Sequence, residues 1–383
     1  MVIFACMERP VIYFDNAATT RPDQGVLDEV IACMNEEYGN PSSLHAPGRQ
    51  ARVRIEESRR TIARLLNVSP SEIFFTSGGT EANNAILQGC CLGLGYSHVI
   101  TSPVEHPAVL KPLASLAGKG VEVHYLRVDQ AGHVDPRHLE ELLDRFPHSL
   151  VSLMHANNET GNLLPVKSVA SLCAGAGALF HSDTVQTVGK FDMDMQKLGM
   201  DFAVGSAHKF YGLKGAGFMY VRSGKFFPPY LQGGGQERNM RAGTENIYGI
   251  VGMARALELA HQRMEGDQQH CMELKEACIQ MLLKKIPGIH FNGDAQGRSL
   301  QTILNVSLPA SVDAEMLLPS LDIEGICVSS GSACSSGSSQ RSHVMEALGA
   351  DESKPSLRIS FGRYNTMEEV EKLVQVLAKI ALS

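Results

Sequence analysis

Asp183 and Lys209 lie in one stretch, His181 to Gly217, that reads HSDTVQTVGKFDMDMQKLGMDFAVGSAHKFYGLKGAG. The pattern predicts strand, short helix, strand, with Asp183 just past one apolar run and Ser206-Ala207-His208-Lys209 just past another. A lysine leaving a buried strand among small and hydroxyl residues suits a Schiff base to an aldehyde, because burial near other cations favours the neutral, nucleophilic amine. A carboxylate such as Asp183 suits the pyridine nitrogen of a ring that acts as an electron sink. Taken alone, Lys209 reads equally well as a solvated surface lysine. A third candidate is Cys334, in the loop Ser329-Ser330-Gly331-Ser332-Ala333-Cys334-Ser335-Ser336-Gly337-Ser338-Ser339. A thiol among small polar residues, with glycine on both sides, is neither buried nor conformationally fixed. It is an accidental cysteine in a loose loop, or a nucleophile that must travel from a deep site to another protein; an exposed thiol is otherwise an oxidation liability.

The elements that must position these groups follow from the hydrophobic pattern. Val11 to Phe14 is strand-like, Asp15-Asn16-Ala17-Ala18-Thr19-Thr20 is a polar turn, and Val26, Leu27, Val30, Ile31 and Met34 recur at helical spacing. A loop, Gly39-Asn40-Pro41-Ser42-Ser43, precedes an amphipathic helix from Arg49 to Leu66. Glu72 to Thr76 reads as a strand, after which Ser77-Gly78-Gly79-Thr80 opens a helix. Glycines there let backbone N–H groups approach a phosphate at the positive helix end, although by itself the run is an ordinary tight turn. Neither the P-loop nor the dinucleotide-fold pattern is present.

Strands are predicted near His98 to Thr101, Glu122 to Leu126 and Ser149 to Met154, with helices between. This alternation indicates a mostly parallel, helix-covered sheet of α/β class. Polar residues gather just past the strand ends, Glu105-His106 after one and His155-Ala156-Asn157-Asn158-Glu159 after another, where ligands bind in such sheets. His106 alone reads as a satisfied loop histidine. A Gly-rich basic loop, Gly233 to Arg238 and Arg241-Ala242-Gly243-Thr244-Glu245-Asn246, precedes a helix that begins near Ile247. The polar run Glu265 to Gln269 is the expected hinge. The expected division is a large domain, 15–264, and a smaller α+β domain from 1–14 and 265–383 that carries the 329–339 loop.

At 383 residues the chain exceeds one typical core, and 44% hydrophobic with 20% charged residues is ordinary globular composition. A net charge of −7 argues against a nucleic-acid or membrane surface, and no apolar run is long enough to span a bilayer. The start, MVIFACMERP, lacks a basic segment before its apolar run, so no signal peptide is expected, and Met7 is as good a start as Met1. The nine cysteines show no recurring CxxC, so neither a zinc site nor a disulfide framework is expected; their odd number suits a reducing cytoplasm. Most of them, including Cys33, Cys173 and Cys327, read as inert buried hydrophobes.

Nine motifs occur in order: YFDNAATT, TSGGTEANN, EHPAV, MHANNETG, HSDTVQTVGK, SAHKFYGLKG, RAGTEN, SSGSACSSG and LRISFGRYN. Together they resemble the cysteine desulfurases of the NifS/IscS group, in the class V aminotransferase family, from Tyr13 to about Leu373. The resemblance implies a fold-type I transferase that uses pyridoxal 5′-phosphate. It implies Lys209 as the cofactor lysine, Asp183 on the pyridine nitrogen, His106 stacked on the ring and moving protons, and Gln186 on the ring hydroxyl. The phosphate would be held at Gly79 and Thr80 and by Ser206 and His208, joined by Thr244 of a neighbouring subunit, hence a homodimer with shared sites. Asn157 falls at the ring-contact position, Arg358 at the substrate carboxylate clamp, and Asn40 at the pocket mouth. L-cysteine would give up its sulfur to Cys334, leaving a persulfide and alanine, with Lys209 or His106 as base. The sulfur would pass to an acceptor protein, a scaffold or carrier.

Three features depart from the housekeeping pattern: Ser335 stands where threonine is common, no Glu-Pro precedes Ser342-His343, and the sequence stops at Ser383 without a scaffold-docking extension. They leave the acceptor open among iron–sulfur assembly, nitrogenase clusters and thio-modification of DNA or tRNA, any nucleic acid being reached through a partner. The rival readings are a selenocysteine lyase or aminotransferase of the same fold, a non-catalytic sulfur carrier, and a Cys-His hydrolase built on Cys334 and His106.

Overall fold

The computed structural model describes residues 11–330 and 342–382; Cys334 and both candidate start methionines lie outside the described residues. Contacts divide the chain into two units: Thr19–Asn157 with Leu163–Met264, and Glu265 onward with the N-terminal residues through Ala18 and Asn158–Asn162.

After β1 (Ile12–Tyr13) come α1 (Gln24–Glu36), α2 (Ala46–Leu65), β2 (Ile73–Thr76), α3 (Gly79–Gln88), β3 (His98–Thr101), α4 (Pro107–Ala117) and β4 (Glu122–Tyr125). Next are α5 (Pro136–Arg145), β5 (Leu150–Ser152), α6 (Val166–Ala176), β6 (Leu179–Asp183), α7 (Met195–Leu198), β7 (Phe202–Ser206) and β8 (Gly217–Val221). The chain ends with α8 (Ile247–Lys285), β9 (His290–Asn292), β10 (Ile303–Ser307), α9 (Ala314–Ile323), β11 (Ile326–Cys327), α10 (His343–Ala347), β12 (Ser356–Ser360) and α11 (Met367–Leu382).

The larger unit is built on a seven-stranded sheet of order β2-β8-β7-β6-β5-β3-β4, parallel except for β8, which runs against both its neighbours. Both faces are buried, and successive residues alternate between two cores. Val99, Leu150, Leu179 and Phe202 pack on the side of α3 and α4. Ile100, Val151, Phe180 and Ala203 pack on the opposite side with α2, α6 and α8. This is why these strands read as continuous apolar runs rather than alternating ones. Each fully buried Phe or Leu contributes about 1.5–3 kcal/mol of transfer free energy.

The smaller unit has an antiparallel sheet β12-β10-β9 and a parallel pair β1-β11. Its core joins Cys271, Leu274, Cys278 and Leu282 of α8 to Leu373 and Leu377 of α11. Among the described residues no helix is long and apolar enough to cross a membrane.

Two features of the sequence reading need correction. The division between the two units falls at Glu265, where the polar run begins, but the helix does not end there: Glu265–Gln269 lies inside α8, which is continuous over 39 residues. Polarity there marks an exposed face; the lone Gly266 costs about 1 kcal/mol relative to Ala in a helix, too little to end one. The stretch Asn158–Asn162, expected in the large domain, groups with the smaller unit. Its polar groups are claimed there: Asn305 Nδ2 donates to the Glu159 carbonyl (3.2 Å), Leu300 N to the Gly161 carbonyl (2.8 Å) and Asp294 N to Asn162 Oδ1 (2.9 Å).

A buried ion pair fixes the Gly-rich loop of the larger unit. Arg59 of α2 donates through Nη1 and Nη2 to both oxygens of Glu237, at 2.8 and 2.6 Å, and both side chains are 1% exposed. Arg59 Nη1 also reaches the Ile73 carbonyl (2.8 Å), and Glu237 Oε2 accepts from Phe75 N (2.7 Å). The pair sits in a segment where Glu237, Arg238 and Asn239 all have left-handed φ, at 43°, 55° and 65°. Three such residues in succession persist only when partners over-determine them. Glu237→Gln leaves Arg59 only the half-buried Glu56 carboxylate, 3.2 Å from its Nε, and weakens the charge-assisted bonds to Arg59 and Phe75 N, so it is expected to destabilise the larger unit by about 1–3 kcal/mol. A lowered thermal midpoint, with new protease cleavage between Gly233 and Asn246, is the expected readout; an unchanged midpoint would refute the anchoring role.

Candidate active site

The candidate residues of the larger unit collect where five strands end. Gly78-Gly79-Thr80 follow β2, His106 follows β3, Asn157 follows β5, Asp183 closes β6, and His208-Lys209 follow β7. In a parallel sheet these carboxyl ends share one edge, so residues distant in sequence converge there.

Asp183 is 6% exposed, and its carboxylate is fixed on both oxygens. Asn83 Nδ2 of α3 donates to Oδ2 at 2.7 Å, and Val185 N donates to Oδ1 at 3.0 Å. No imidazolium shares the charge: burial pushes the His181 ring down to about 4 despite the pull of Asp183, so it is neutral. Ser152 Oγ meets His181 Nδ1 at 2.9 Å.

Glu105 is the second carboxyl group here. Burial pushes it up to about 8; the Met154 N–H pulls it down, the charge of Asp183 pushes it up, and Ser102 Oγ pulls it down. Its Oε1 accepts from Met154 N at 2.9 Å and from Ser102 Oγ at 3.0 Å, tying the end of β3 to the end of β5. Asn157 strengthens the same tie, donating from Nδ2 to the Val104 carbonyl at 2.9 Å. His106 caps α4: its Nδ1 accepts from Ala108 N at 3.0 Å, so the neutral ring carries its proton on Nε2. Gln186, 4% exposed, accepts from Lys190 Nζ at 3.1 Å.

The turn that carries Lys209 is braced from the N-terminal side of the unit. The His208 carbonyl accepts from Thr20 N (2.8 Å) and Thr20 Oγ1 (3.0 Å), and Thr20 Oγ1 accepts in turn from Tyr211 N (2.7 Å). Thr19 Oγ1 meets His208 Nδ1 at 3.1 Å. Tyr211 is left-handed at φ 67°, a strained setting for a tyrosine, two residues past Lys209. Burial, then the charges of Lys209 and Lys214, push the His208 ring down to about 4.

Opposite this turn, α3 begins at Gly78 without a side-chain cap. A Cβ on Gly79 would stand 2.6 Å from Val185 Cγ2, and one on Gly217 would stand 2.5 Å from the Gly78 Cα. Only glycine permits so close an approach of the backbones, with uncapped N–H groups and Ser206 beside them: an anion cradle. Arg241 grips Glu81 of α3 with Nε–Oε1 at 2.8 Å and Nη2–Oε2 at 3.2 Å, fixing the loop that leads to Thr244. Although burial opposes it, these bonds hold the Glu81 carboxyl below its usual range.

Two candidates in this unit are not gathered in. Asn40 is exposed and its Oδ1 is taken by Ser42 N at 2.9 Å, a local turn; Thr244 is exposed at the end of its loop.

In the smaller unit Arg358 is 2% exposed on β12. Its Nη2 donates to Asp15 Oδ1 (2.9 Å) and its Nη1 to the Asn158 carbonyl (2.8 Å). The thiols expected to be inert are so: Cys33 and Cys173 are buried and pushed up to about 12, chiefly by burial, and burial also raises the half-buried Cys327.

Sequence reasoning missed Asn83, Glu105, Thr19 and Asp15 as working parts. Asn83 had a signal, since it stands one helical turn after Gly79 on the helix that opens the cradle.

The class V aminotransferase model matches residues 12–373. A protein named cysteine desulfurase IscS, from Dictyoglomus turgidum, is 42% identical over 373 residues, covering 96% of this chain and 94% of that one. A solved structure described as a NifS-like protein has a TM-score of 0.90 at 40% identity, covering 97% of this chain and 99% of its own. Another, SspA in complex with cysteine, has a TM-score of 0.80 at 30% identity, covering 93% and 100%.

The raised Glu105 yields a prediction with a definite sign. Between its unfolded value near 4.5 and its folded value near 8, the folded protein holds a proton that the unfolded chain has released. Its stabilisation is therefore complete below the lower value and is lost as pH rises through the window. Glu105→Gln keeps an acceptor for Met154 N and Ser102 Oγ but removes the proton. Urea midpoints measured across that window should fall with pH in the parent by about one proton more than in the variant; parallel profiles would show that Glu105 is ionised throughout.

Proposed function

The chain belongs to the class V aminotransferase family, and from that premise we propose that it is a cysteine desulfurase, using pyridoxal 5′-phosphate to move the sulfur of L-cysteine onto Cys334. The full-length likeness to a protein named cysteine desulfurase carries this reading. Support comes from a thiol at position 334 and from Asp183 and Lys209 at the ends of adjoining strands.

The larger unit fits the cofactor chemically. A fixed buried carboxylate suits a protonated pyridine nitrogen, and an uncapped helix start beside Ser206 suits a phosphate. Gly79, Thr80, Ser206 and His208 are the phosphate set, with Thr244 supplied by a second copy in a homodimer. Gln186 and Asn157 would serve the ring and Lys209 would be the covalent lysine; Asn40, exposed in a local turn, would take part only at the mouth. When bound, the cofactor supplies the electron sink for the carbon that loses its proton.

The chain's own residues do the rest. Arg358, already held flat by Asp15 and the Asn158 carbonyl, presents a planar fork suited to the substrate carboxylate. Lys209 Nζ would take the α-proton, with His106 Nε2 as the alternative proton carrier. Asp183 keeps the proton on the ring nitrogen. The Cys334 thiolate attacks the substrate sulfur: the S–S bond forms as the C–S bond breaks, and the bonding pair stays with the carbon. Protonation of that carbon gives L-alanine, and Cys334 retains the persulfide. An acceptor protein then takes the outer sulfur, for iron–sulfur cluster assembly or for thio-modification. A reducing cytoplasm suits a thiol that must return to its free state.

The purified protein should be yellow and should convert L-cysteine, in the presence of a reductant, to alanine and sulfide in equal amounts. Cys334→Ala should keep the colour and lose the turnover. Retained turnover in that variant would overturn the desulfurase reading in favour of a lyase or transaminase. Asp183→Asn should keep the fold and drop turnover by at least about 100-fold, since a neutral partner does not hold the ring proton; a loss smaller than tenfold would remove Asp183 from the role.

A further inference from the structure

His98 opens β3, at the opposite end of that strand from His106, and Glu122 and His124 lie on the neighbouring edge strand β4. The parallel register sets His98 against Glu122 and Ile100 against His124. Glu122 and His124, two residues apart on one strand, share a face of the sheet with His98. The three side chains converge: His98 Nδ1 to His124 Nε2 is 3.3 Å, His98 Nδ1 to Glu122 Oε2 is 3.7 Å, and His124 Nε2 to Glu122 Oε2 is 4.0 Å.

We infer that these three residues form a binding site for a divalent transition cation of the zinc type, separate from the proposed active site. The separations place a point about 2.1 Å from all three atoms, in their plane, so the atoms stand within reach of zinc bonds of about 2.0–2.2 Å once Glu122 shifts to make the set tetrahedral. The two nitrogens already stand at the edge length of a zinc tetrahedron, about 3.3 Å for bonds of that length. Only Glu122 must move closer, and its side chain is 65% exposed and able to do so. Two neutral imidazoles and one carboxylate are a recognised donor set, with the fourth position left to water.

The rings are held for the purpose. Phe146 stacks on both, at 4.5 Å from His98 and 4.2 Å from His124, with interplanar angles of 26° and 15°. An aromatic plate that fixes two imidazoles does the orienting that a hydrogen-bonded outer shell does elsewhere. Arg145 opposes the site to a degree, its guanidinium lying 5.0 Å from the Phe146 ring. The absence of recurring CxxC spacing does not bear on this site, since its donors come from two strands and none is a thiol. A bound ion would staple β4, an edge strand with two exposed residues of its four, to the sheet.

The test uses the cofactor-loaded protein carrying Cys334→Ser, so that this thiol does not compete, and Zn2+ alone as the probe. Equilibrium dialysis should find one equivalent of Zn2+ that Mg2+ does not displace, and the thermal midpoint should rise with it. His124→Ala and His98→Gln should each lose that equivalent while keeping the metal-free midpoint. Zinc-edge absorption of the loaded parent should show imidazole scattering; this readout stands even where a variant folds poorly. An equivalent retained in both histidine variants, or a sulfur-dominated zinc shell, would overturn the site, as would no stoichiometric binding.

Discussion

The carboxyl edge of the larger sheet depends on one bond, from Asn83 Nδ2 to Asp183 Oδ2 at 2.7 Å. A carboxylate with so little exposure keeps its charge only when the structure supplies donors, and an unpaired one would neutralise itself. Asn83 and Val185 N supply them, and the neighbouring Glu105 then cannot also ionise readily, since its burial is complete and Asp183 repels a second charge. One carboxyl group is thereby bound by donors on both oxygens, and the other is pushed up toward its protonated form, chiefly by burial. The acid is not idle. Its Oε1 gathers Met154 N and Ser102 Oγ, and this tie sets the segment from which His106 caps α4 and Val104 receives Asn157.

The same logic governs the backbone. Tyr211 beside Lys209, and Glu237 to Asn239 before Thr244, adopt left-handed conformations that cost about 1–3 kcal/mol each. Each is held by a partner far away in sequence: Thr20 for the first, Arg59 for the second. Strain is stored next to the lysine and next to the loop that would reach another subunit, and both braces are short, well-aligned hydrogen bonds. Such positions tolerate few substitutions because the constraint comes from two elements at once.

Much of this was legible in the sequence. Continuous apolar runs located six of the seven strands of the larger sheet, because a strand buried on both faces cannot alternate, while β8, which runs against its neighbours, was not read. The glycines before α3, the Asp183 and Lys209 placements and the carboxyl-end clustering followed from local pattern and the parallel topology. What stayed hidden were partnerships between distant residues. Thr19 and Thr20 look like any polar turn until His208 is seen beside them, and Glu105 looks like a surface acid until its burial is known. The run Glu265–Gln269 marked the boundary between the units but not the end of a helix, because an exposed helical face has the same polar composition as a break. Asn158–Asn162 misled because its affiliation is decided by hydrogen bonds to Asn305, Leu300 and Asp294, none of them near in sequence.

In the smaller unit, hydrogen bonds link Arg358 to both described ends of the serine-rich loop. Arg358 uses its side chain on Asp15 and the Asn158 carbonyl, and its main chain on Ser329, with Arg358 N donating to the Ser329 carbonyl at 2.7 Å. Ser329 is the residue from which the serine-rich loop departs. The loop returns at Ser342, whose Oγ donates to Glu159, the residue after Asn158. Ser342 then caps α10 by accepting from Val344 N at 3.1 Å. Both anchors of the loop are therefore tied, within two bonds, to the arginine suited to the substrate carboxylate. Under the proposed function, these ties would fix the arginine from both described ends of the segment that carries position 334.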